Sequence, residues 1–247
     1  MNPTEQYIHD RDEQVRKNMK NDVLRHYTRK LTEELVRTQY TKNFTWMGIP
    51  ILQFPTDLMV MQELICRIEP DYIIETGVAF GGMMVFYASM LECLQKGFVV
   101  GIDIDFRKHN WDTLTKHSLG SAMILLNGSS TSNEIVEQVK RIVEHGKVFI
   151  SLDSNHTHDH VLKELRLYTP LVSLGSYIVV FDTSIEDFWH QDIRHQDRPW
   201  GIGNNPATAV KVFMEGNDEF VVDREIEQRA LITSAPSGWL KRIKEAS

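Results

Sequence analysis

From residue 71 onward, short apolar runs alternate with longer segments whose apolar residues recur every three or four positions. Runs that are apolar almost throughout, such as 71–76 and 147–153, predict strands buried on both faces. The amphipathic segments between them predict helices. Strands are predicted at 71–76, 98–104, 122–127, 147–153 and 176–182, and helices at 81–95, 132–145 and 158–172. This alternation indicates a mostly parallel sheet with helices on both faces.

The C-terminal part continues the pattern with a predicted helix over 206–216 and predicted strands over 219–223 and 229–234. Because only a short link separates the last two strands, they are expected to form an antiparallel pair at the edge of the sheet. The sheet then has seven strands, which is the Rossmann-like architecture of class I methyltransferases. Since one fold supports many functions, the function has to be argued from particular residues.

The N-terminal part is different in character. Residues 4–40 are polar, with apolar residues three or four apart, which predicts one or two extra amphipathic helices. Residues 41–55 are aromatic and interrupted by glycine and proline, which predicts a loop. Thr56 and Asp57 are suitable N-caps for a helix that ends near Arg67.

Composition and charge exclude several classes of function. The net charge of −7 disfavours nucleic acid and anionic membranes as partners, because phosphate binding needs an excess of basic residues. No apolar run approaches the roughly 20 residues that span a bilayer, and the first residues lack the apolar core of a secretory signal. Cys66 and Cys93 lie in apolar helical contexts, where we expect reduced core thiols. A cytoplasmic protein that acts on a small molecule is therefore expected.

The segment 75–82, ETGVAFGG, follows a predicted strand and precedes a predicted helix. Glycines here let the backbone turn sharply, so that a ligand can lie against main-chain N–H groups at the start of the helix. The strand–loop–helix context favours a cofactor loop over a plain turn, although Ala79 breaks a strict G-x-G-x-x-G spacing. The candidate cofactor-binding residues of this loop are Glu75, Gly77, Ala79, Gly81 and Gly82.

Two carboxylates indicate which cofactor the loop binds. Asp103 ends the next predicted strand, where an acidic residue accepts hydrogen bonds from ribose hydroxyls, and Asp105 is the second candidate for that role. Glu75 separates the cofactor types, because a carboxylate beside the loop repels a pyrophosphate but attracts the ammonium and sulfonium of a methionyl group. The loop therefore predicts S-adenosyl-L-methionine (SAM) and not NAD.

A second acidic cluster is predicted at the same edge of the sheet. Asp153 and Asp182 each end a strand, and His156 follows Asp153 by three residues. Because ligands bind outside the carboxyl ends of parallel strands, these side chains are expected to share a cleft with the cofactor loop. Two carboxylates favour a hard cation such as Mg²⁺, which would lower the pKa of an acceptor hydroxyl. His156 is suited to removing the hydroxyl proton.

Other interpretations of this segment stay open. Asp153 and Asp182 could cap the elements that follow them. His156 and His160 are four residues apart and, with Asp153, could form a two-His, one-carboxylate iron site of an oxygenase. The polar run around Asp159 favours instead a solvated first helical turn, with His158 and His160 on the surface.

Several segments together resemble the cephalosporin hydroxylase–rhamnosyl O-methyltransferase family. The resemblance runs from about Phe44 to Arg242 and is carried by IIETGVAFGG, VVGIDID, LDSNHTHDHVLKEL, GSYIVVFDT and SGWLKR. It implies a SAM-dependent O-methyltransferase that acts on a hydroxyl of a sugar or glycosylated natural product. It also implies metal binding by Asp153 and Asp182, cofactor contact by Asp153, and His156 as the catalytic base.

Two positions depart from the family pattern. The fifth strand usually ends in Glu-Asp, and here it ends in Phe181-Asp182. The position after Gly128, near the adenine, is usually Asp, and here it is Ser129, which becomes the candidate contact. These changes leave open a weak metal site, a third ligand such as Glu186, no metal at all, or a SAM-binding protein without catalysis.

The remaining segments concern the acceptor and the assembly. A long loop between Asp182 and Pro206 carries aromatic and histidine side chains that could stack on a sugar, namely Phe188, Trp189, His190, His195 and Trp200. We expect an N-terminal extension with a substrate-side loop over 1–55 and the SAM-binding domain over 56–247. The apolar stripe of the N-terminal helices could pack on the sheet domain or form a subunit interface. The family resemblance implies the interface, and so a homo-oligomer, because members of the family are often homo-oligomers.

Overall fold

The computed structural model describes residues 1–188 and 197–245, and its centre is one sheet of seven strands. A separate antiparallel hairpin consists of β1 (Phe44–Trp46) and β2 (Ile49–Ile51). The strands of the main sheet are β3 (Tyr72–Thr76), β4 (Phe98–Asp103), β5 (Met123–Asn127), β6 (Val148–Leu152), β7 (Tyr177–Val180), β8 (Phe220–Val222) and β9 (Trp239–Arg242).

The helices cover both faces of this sheet. Those of the described residues are α1 (Pro3–Met19), α2 (Asp22–Arg37), α3 (Pro55–Ile68), α4 (Gly82–Leu94), α5 (Lys108–Lys116), α6 (Asn133–Val143), α7 (His158–Tyr168), α8 (Ile185–Phe188), α9 (Pro206–Met214) and α10 (Arg224–Ala230). Short 3₁₀ turns lie at Tyr40–Asn43, Gly120–Ala122 and Thr169–Leu171.

The strand order is β5-β4-β3-β6-β7-β9-β8. The first five strands in this order pair in parallel, and β9 lies antiparallel between β7 and β8. This arrangement confirms the predicted mostly parallel, seven-stranded sheet. Because β3, β4, β6 and β7 run in the same direction, the residues that follow them are placed along one edge.

The core consists of two apolar layers, one on each face of the sheet. Neighbouring residues of a strand alternate between the layers, so that Ile73 packs with α3 and α4 while Ile74 packs with α6 and α7. Phe149 lies in the same apolar layer as Ile73, and Ile150 lies in the same layer as Ile74. Strands buried on both sides are apolar at most positions, which explains the nearly continuous apolar runs in the sequence; the buried polar exceptions in β3 and β6 are Glu75, Thr76 and Ser151.

The two predicted N-terminal helices are present as α1 and α2. In α1 no residue is buried, and in α2 only Thr32 is buried. Among the described residues, no helix is long and apolar enough to cross a membrane. The division of the chain at residues 55 and 56 stays a prediction.

The predicted strand over 229–234 is wrong. Residues Arg224–Ala230 form α10, which is capped by Asp223, whose carboxylate accepts from Ile226 N at 3.1 Å. The last strand is instead Trp239–Arg242, so β8 and β9 are joined through a helix and not through a short link. A favourable N-cap and the helix formers of the segment REIEQRA extend the helix to Ala230, and the left-handed backbone of Leu231, with φ 61°, interrupts the rest of the predicted strand.

Three smaller expectations also fail. The N-cap of α3 is Phe54, so Thr56 and Asp57 lie within the helix. Cys66 and Cys93 are both free and exposed, because they lie on the outward sides of α3 and α4. The segment 41–55 contains the β1–β2 hairpin and is not only a loop, and α5 is a helix that the pattern did not predict.

Candidate functional site

The predicted cofactor loop connects β3 to α4 and has a left-handed backbone at three positions. Gly77, Ala79 and Gly81 have φ angles of 84°, 51° and 92°. At Gly77 a Cβ atom would lie 2.1 Å from the carbonyl oxygen of Asp153, so the loop rests directly on the chain that follows β6. Glycine is therefore required here both for its conformation and for the close approach of the two backbones.

We expect Gly77→Ala to destabilise the protein more than Gly216→Ala does. Both glycines have φ near 80°, but a Cβ at Gly216 would meet nothing within 4 Å. The control variant therefore carries only backbone strain, whereas Gly77→Ala adds a steric conflict, for a total loss of about 1–3 kcal/mol. Urea unfolding of both variants measures this difference. Equal losses would show that the contact between Gly77 and Asp153 is not tight.

The other two glycines of the loop have packing roles. A Cβ at Gly81 would lie 2.6 Å from the side chain of Leu114 in α5, and one at Gly82 would lie 2.3 Å from the carbonyl oxygen of Pro50. Gly82 also lines the larger of two cavities, whereas Gly81 is not among the described residues that line either one. Cofactor contact by these two glycines stays a prediction.

Glu75 is a buried carboxylate at the end of β3, with 1% of its surface exposed. Its Oε2 atom has no hydrogen-bond partner among the described residues. Burial, and next the charge of Asp103, raise the pKa of Glu75 well above its usual value. An unpartnered carboxylate is costly to bury, so this atom is suited to a cationic ligand that enters the adjoining cavity.

Asp103 lies beneath the cofactor loop at the end of β4. Its Oδ2 accepts from the backbone N–H groups of Val78 and Ala79 at 2.9 and 3.2 Å, and its Oδ1 accepts from Asp105 N at 2.9 Å. Asp103 therefore fixes the loop, a role that its sequence position did not predict. It also lines the smaller cavity, so its contact with a ribose stays a prediction.

Two cavities of about 390 and 320 Å³ adjoin at the carboxyl edge of the sheet. They share Gly77, Ser154, Arg198 and Trp200. The larger cavity contains Glu75 and the acidic residues of the neighbouring strands, and the smaller one contains Asp103 and Ser129. An elongated ligand can therefore extend across the cofactor loop from one cavity into the other.

The structure brings Asp153, His156 and Asp182 together, as the strand-end argument predicts. One ligand atom of each lies within 4.8 Å of the others, a spacing that suits a metal ion. His156 Nε2 is 3.3 Å from Asp182 Oδ2, and the His156 ring packs edge-on against Trp200 with centroids 4.8 Å apart. Asp182 has a left-handed backbone with φ 55°, a strained conformation that is often found at functional sites.

The carboxylates of this cluster repel each other. Burial raises the pKa of Asp153 well above its usual value, and the charges of Asp182 and Glu75 raise it further. The hydrogen bond that Gln53 donates to Asp153 acts in the opposite direction. A divalent cation would remove this repulsion, because it favours the ionised form of every carboxylate around it.

The position before Asp182 does not contribute a ligand. Phe181 is buried at 1% exposure and packs edge-on against Trp239 in the core, with centroids 6.2 Å apart. Glu186, considered above as a third ligand, accepts instead from Gly203 N at 2.9 Å and from the Asn205 amide. Glu186 therefore holds the turn at 201–205, and the third donor near the two aspartates is His156.

The histidines of the first turn of α7 are not plain surface residues. His158 Nδ1 lies 2.8 Å from the hydroxyl of Thr208. His160 Nε2 lies 3.1 Å from the hydroxyl of Ser130 and 3.2 Å from that of Ser154. These three contacts connect the first turn of α7 to neighbouring segments of the chain. The iron site of His156, His160 and Asp153 is not formed, because among the described residues the third member of the cluster is Asp182.

Some residues of the site were not predicted from the sequence. Gln53 donates to Asp153 Oδ2 at 3.2 Å, although it lies in the aromatic segment before α3. Its only signal was a polar residue within the apolar run PILQFP. Of the aromatic residues predicted for the acceptor side, Trp200 lines both cavities. Trp189, His190 and His195 lie outside the described residues.

The parallel sheet with one inserted antiparallel strand, and a glycine-containing loop after β3, define a class I methyltransferase fold. The same fold is found in "CmcI-N160 apo-structure" (TM-score 0.57, 16% identity, 82% of this chain and 77% of that chain). It is also found in "cmcI-D160 Mg-SAM" (TM-score 0.56, 16% identity, 82% and 78%). The O-methyltransferase TomG from Streptomyces achromogenes, in complex with SAM, aligns with TM-score 0.51 at 17% identity, over 68% of this chain and 70% of that one.

The sequence comparisons identify the family. The family model described as "Rhamnosyl O-methyltransferase/CmcI" matches residues 38–243. The rhamnosyl O-methyltransferase of Mycobacterium tuberculosis is 32% identical over 201 residues, which is 80% of this chain and 78% of that protein. The rhamnosyl O-methyltransferase of Mycobacterium leprae is 30% identical, over 80% and 82%. The chain belongs to the rhamnosyl O-methyltransferase/CmcI family.

Proposed function

We propose that this protein is a SAM-dependent O-methyltransferase that methylates a hydroxyl of a sugar or glycosylated natural product with the help of a divalent metal. The observation that carries the proposal is the buried Glu75, whose Oε2 has no partner among the described residues and which shares one cavity with the cluster of Asp153, His156 and Asp182. Rhamnosyl O-methyltransferase is the name of its mycobacterial relatives, and a rhamnosyl hydroxyl is accordingly the first acceptor to test.

The residues present fit SAM. Glu75 would hold the methionyl ammonium, which would give Oε2 a partner that the described residues do not supply. Asp103 and Ser129, which line the smaller cavity, would hold the adenosine. When bound, SAM supplies an electrophilic methyl group on a sulfonium. The full set of proposed cofactor contacts is Glu75, Gly77, Ala79, Gly81, Gly82, Asp103, Ser129 and Asp153.

The donor set also fits a hard divalent cation such as Mg²⁺. Asp153 and Asp182 would hold it through carboxylate oxygens, the ligands that such cations prefer. A bound cation lowers the pKa of a hydroxyl group that it contacts. The structural neighbour "cmcI-D160 Mg-SAM" is named for Mg and SAM, which supports the same pair here.

His156 is placed to act as the general base. Its side chain is 15% exposed and its Nε2 faces the cluster, 3.3 Å from Asp182 Oδ2. Nε2 takes the proton from the acceptor hydroxyl, and Asp182 stabilises the resulting imidazolium. Trp200 packs against the ring and limits its rotation. Orientation of the acceptor oxygen toward the methyl group then completes the requirements of an in-line transfer.

Methyl transfer is the direct test of this function. The protein is incubated with SAM, Mg²⁺ and a panel of rhamnosides and other glycosides, and the release of S-adenosylhomocysteine is measured. We expect release that depends on both the acceptor and Mg²⁺. Release that continues without any acceptor would contradict the assignment.

Mg²⁺ binding is expected to release protons. The pKa of free Asp153 is raised by burial and by its acidic neighbours, and the metal requires the ionised form. Metal affinity therefore increases as pH rises. Asp153 favours folding while it is protonated and loses that contribution as pH rises through its raised pKa, a loss that the bound metal offsets. Calorimetry in two buffers of different ionisation enthalpy measures the proton release. Identical heats at about pH 6 would contradict the expectation.

A second candidate is a SAM-binding protein that has lost catalysis. The observation in its favour is Phe181, which puts a buried aromatic ring where the family usually has a carboxylate. Such a protein binds SAM but neither binds Mg²⁺ nor methylates any acceptor of a broad hydroxyl panel. The cluster of Asp153, His156 and Asp182 favours the enzyme, because two carboxylates that would hold a metal remain beside a histidine that can act as the base.

Two further properties are proposed together. We propose a cytoplasmic homo-oligomer in which α1 and α2 form the subunit interface. Apolar side chains are exposed along these helices, with Val23, Tyr27 and Leu31 at 65%, 66% and 50% on one side of α2. Light scattering of the purified chain measures its state, and a monomer at high concentration would contradict this interface.

A further inference from the structure

Three buried polar side chains lie behind the acidic cluster and are not part of the proposed chemistry. Gln53, Asp57 and Ser234 are 2%, 1% and 5% exposed. They come from the segment before α3, the first turn of α3, and the chain that leads to β9. Polar groups this deeply buried are costly to keep unless their hydrogen bonds are satisfied.

These side chains form one hydrogen-bonded series that ends at Asp153. Gln53 Nε2 donates to Asp153 Oδ2 at 3.2 Å, and the Ser234 hydroxyl lies 3.2 Å from Gln53 Oε1. The same hydroxyl lies 2.9 Å from Asp57 Oδ2, which also accepts from Ser234 N at 2.9 Å. Asp57 Oδ1 has no partner among the described residues.

The number of protons in this series fixes its direction. The Ser234 hydroxyl has one proton but two acceptors, Gln53 Oε1 and Asp57 Oδ2. Above the pKa of Asp57 the Ser234 hydroxyl is shared between these two acceptors; below it, Asp57 donates to Ser234, and the hydroxyl is then free to donate to Gln53. Burial raises the pKa of Asp57 to about 6, with a smaller contribution from the charge of Asp182. A neutral Asp57 also makes the unpartnered Oδ1 less costly to bury.

We infer that Gln53 is a positioning residue for Asp153, and that Ser234 and Asp57 set the orientation of the Gln53 amide. This inference rests on the proposed function of Asp153. With Oε1 directed to Ser234, only the amide nitrogen of Gln53 can face Asp153, and it holds one carboxylate oxygen. The other oxygen is then directed toward the cluster. Loss of a hydrogen bond to a side chain that holds a metal typically changes the metal affinity by about 10- to 100-fold.

The test compares Gln53→Met with Gln62→Met, using Mn²⁺ alone as the probe. Methionine keeps the length of the side chain but removes the amide, and Gln62 is a glutamine of α3 whose amide donates to the nearby carbonyl of Met59. We expect Gln53→Met to bind Mn²⁺ about 10- to 100-fold more weakly, with a smaller change in SAM affinity, and the control to bind like the wild type. Unchanged Mn²⁺ affinity in Gln53→Met would overturn the inference.

Variants of the two supporting residues keep the inference testable if Gln53→Met does not fold. Ser234→Ala removes the donor to Gln53 and should weaken Mn²⁺ binding in the same direction. Asp57→Asn should retain Mn²⁺ affinity, because its amide oxygen can replace Oδ2 as the acceptor from Ser234 N and competes less strongly than a carboxylate for the Ser234 hydroxyl. Wild-type affinity in Ser234→Ala would overturn the inference. Wild-type protein that binds SAM but no Mn²⁺ also overturns it, whereas failure to bind SAM refutes the proposed function itself.

Discussion

Replacing His156 with alanine is expected to slow methyl transfer by about 10²- to 10⁴-fold, because the acceptor hydroxyl loses its general base. SAM affinity should stay unchanged, since Glu75 and the loop residues are separate from the imidazole. His156 Nε2 is directed at Asp182 and not at the smaller cavity. Single-turnover rates and SAM titration of the same variant separate the two effects.

The matched control is His158→Ala. His158 lies two residues further along the chain and bonds to Thr208, away from the cluster. We expect this variant to turn over like the wild type. Near-normal turnover in His156→Ala would remove His156 from the base role. A loss of Mg²⁺ binding in that variant, with rate restored at high metal, would make His156 a metal ligand instead.

Asp153→Asn is expected to abolish the metal dependence of the reaction. Asp153 is central to the cluster, and an amide cannot supply the charge that a divalent cation needs. With the metal lost, the acceptor hydroxyl keeps its high pKa, and turnover should fall by about 10²-fold or more. Activity measured against Mg²⁺ concentration, before and after chelation, gives the result.

Asp159→Asn is the corresponding control, because Asp159 is an exposed residue of the first turn of α7. It removes one carboxylate from the same segment without touching the cluster. An unchanged Mg²⁺ response in Asp153→Asn would show that the metal binds elsewhere. A response lost equally in both variants would indicate a general effect of charge.

Much of the fold could be predicted because the sheet is buried on both faces. Strands such as β3 and β6 are apolar at most positions, and the helices between them are amphipathic. The predictions failed where the pattern was short. Residues 229–234 contain a few apolar positions, but the segment that begins at Asp223 has a stronger helix signal. The real last strand, Trp239–Arg242, lies in the segment SGWLKR that also carries family resemblance.

The chemical cluster could be predicted for a topological reason. Asp153 and Asp182 follow parallel strands that are neighbours in the sheet, so the strand order alone brings the two residues close together. The supporting residues could not be predicted. Gln53 contacts Asp153 across 100 positions of sequence, and Ser234 contacts Asp57 across 177. Such contacts depend on how α3 and the chain before β9 pack, which no local pattern encodes.

Asp103 shows how a correct position can carry an additional role. The sequence places it at the end of a strand, where an acidic residue contacts ribose. The structure adds that its carboxylate accepts from the N–H groups of Val78 and Ala79 and so holds the cofactor loop. Because the Asp103 side chain both supports the cofactor loop and lines the cavity, the stability of the loop is linked to the binding of a ligand in that cavity.

Titration of SAM into the folded wild-type protein is the most direct test of the central claim. The claim is that the loop from Glu75 to Gly82 is a SAM site. We predict saturable binding of one SAM per chain and of its demethylated product, with Glu75→Gln binding SAM more weakly because the ammonium loses its carboxylate partner. Absence of binding by both ligands, with the protein shown to be folded, would contradict the account.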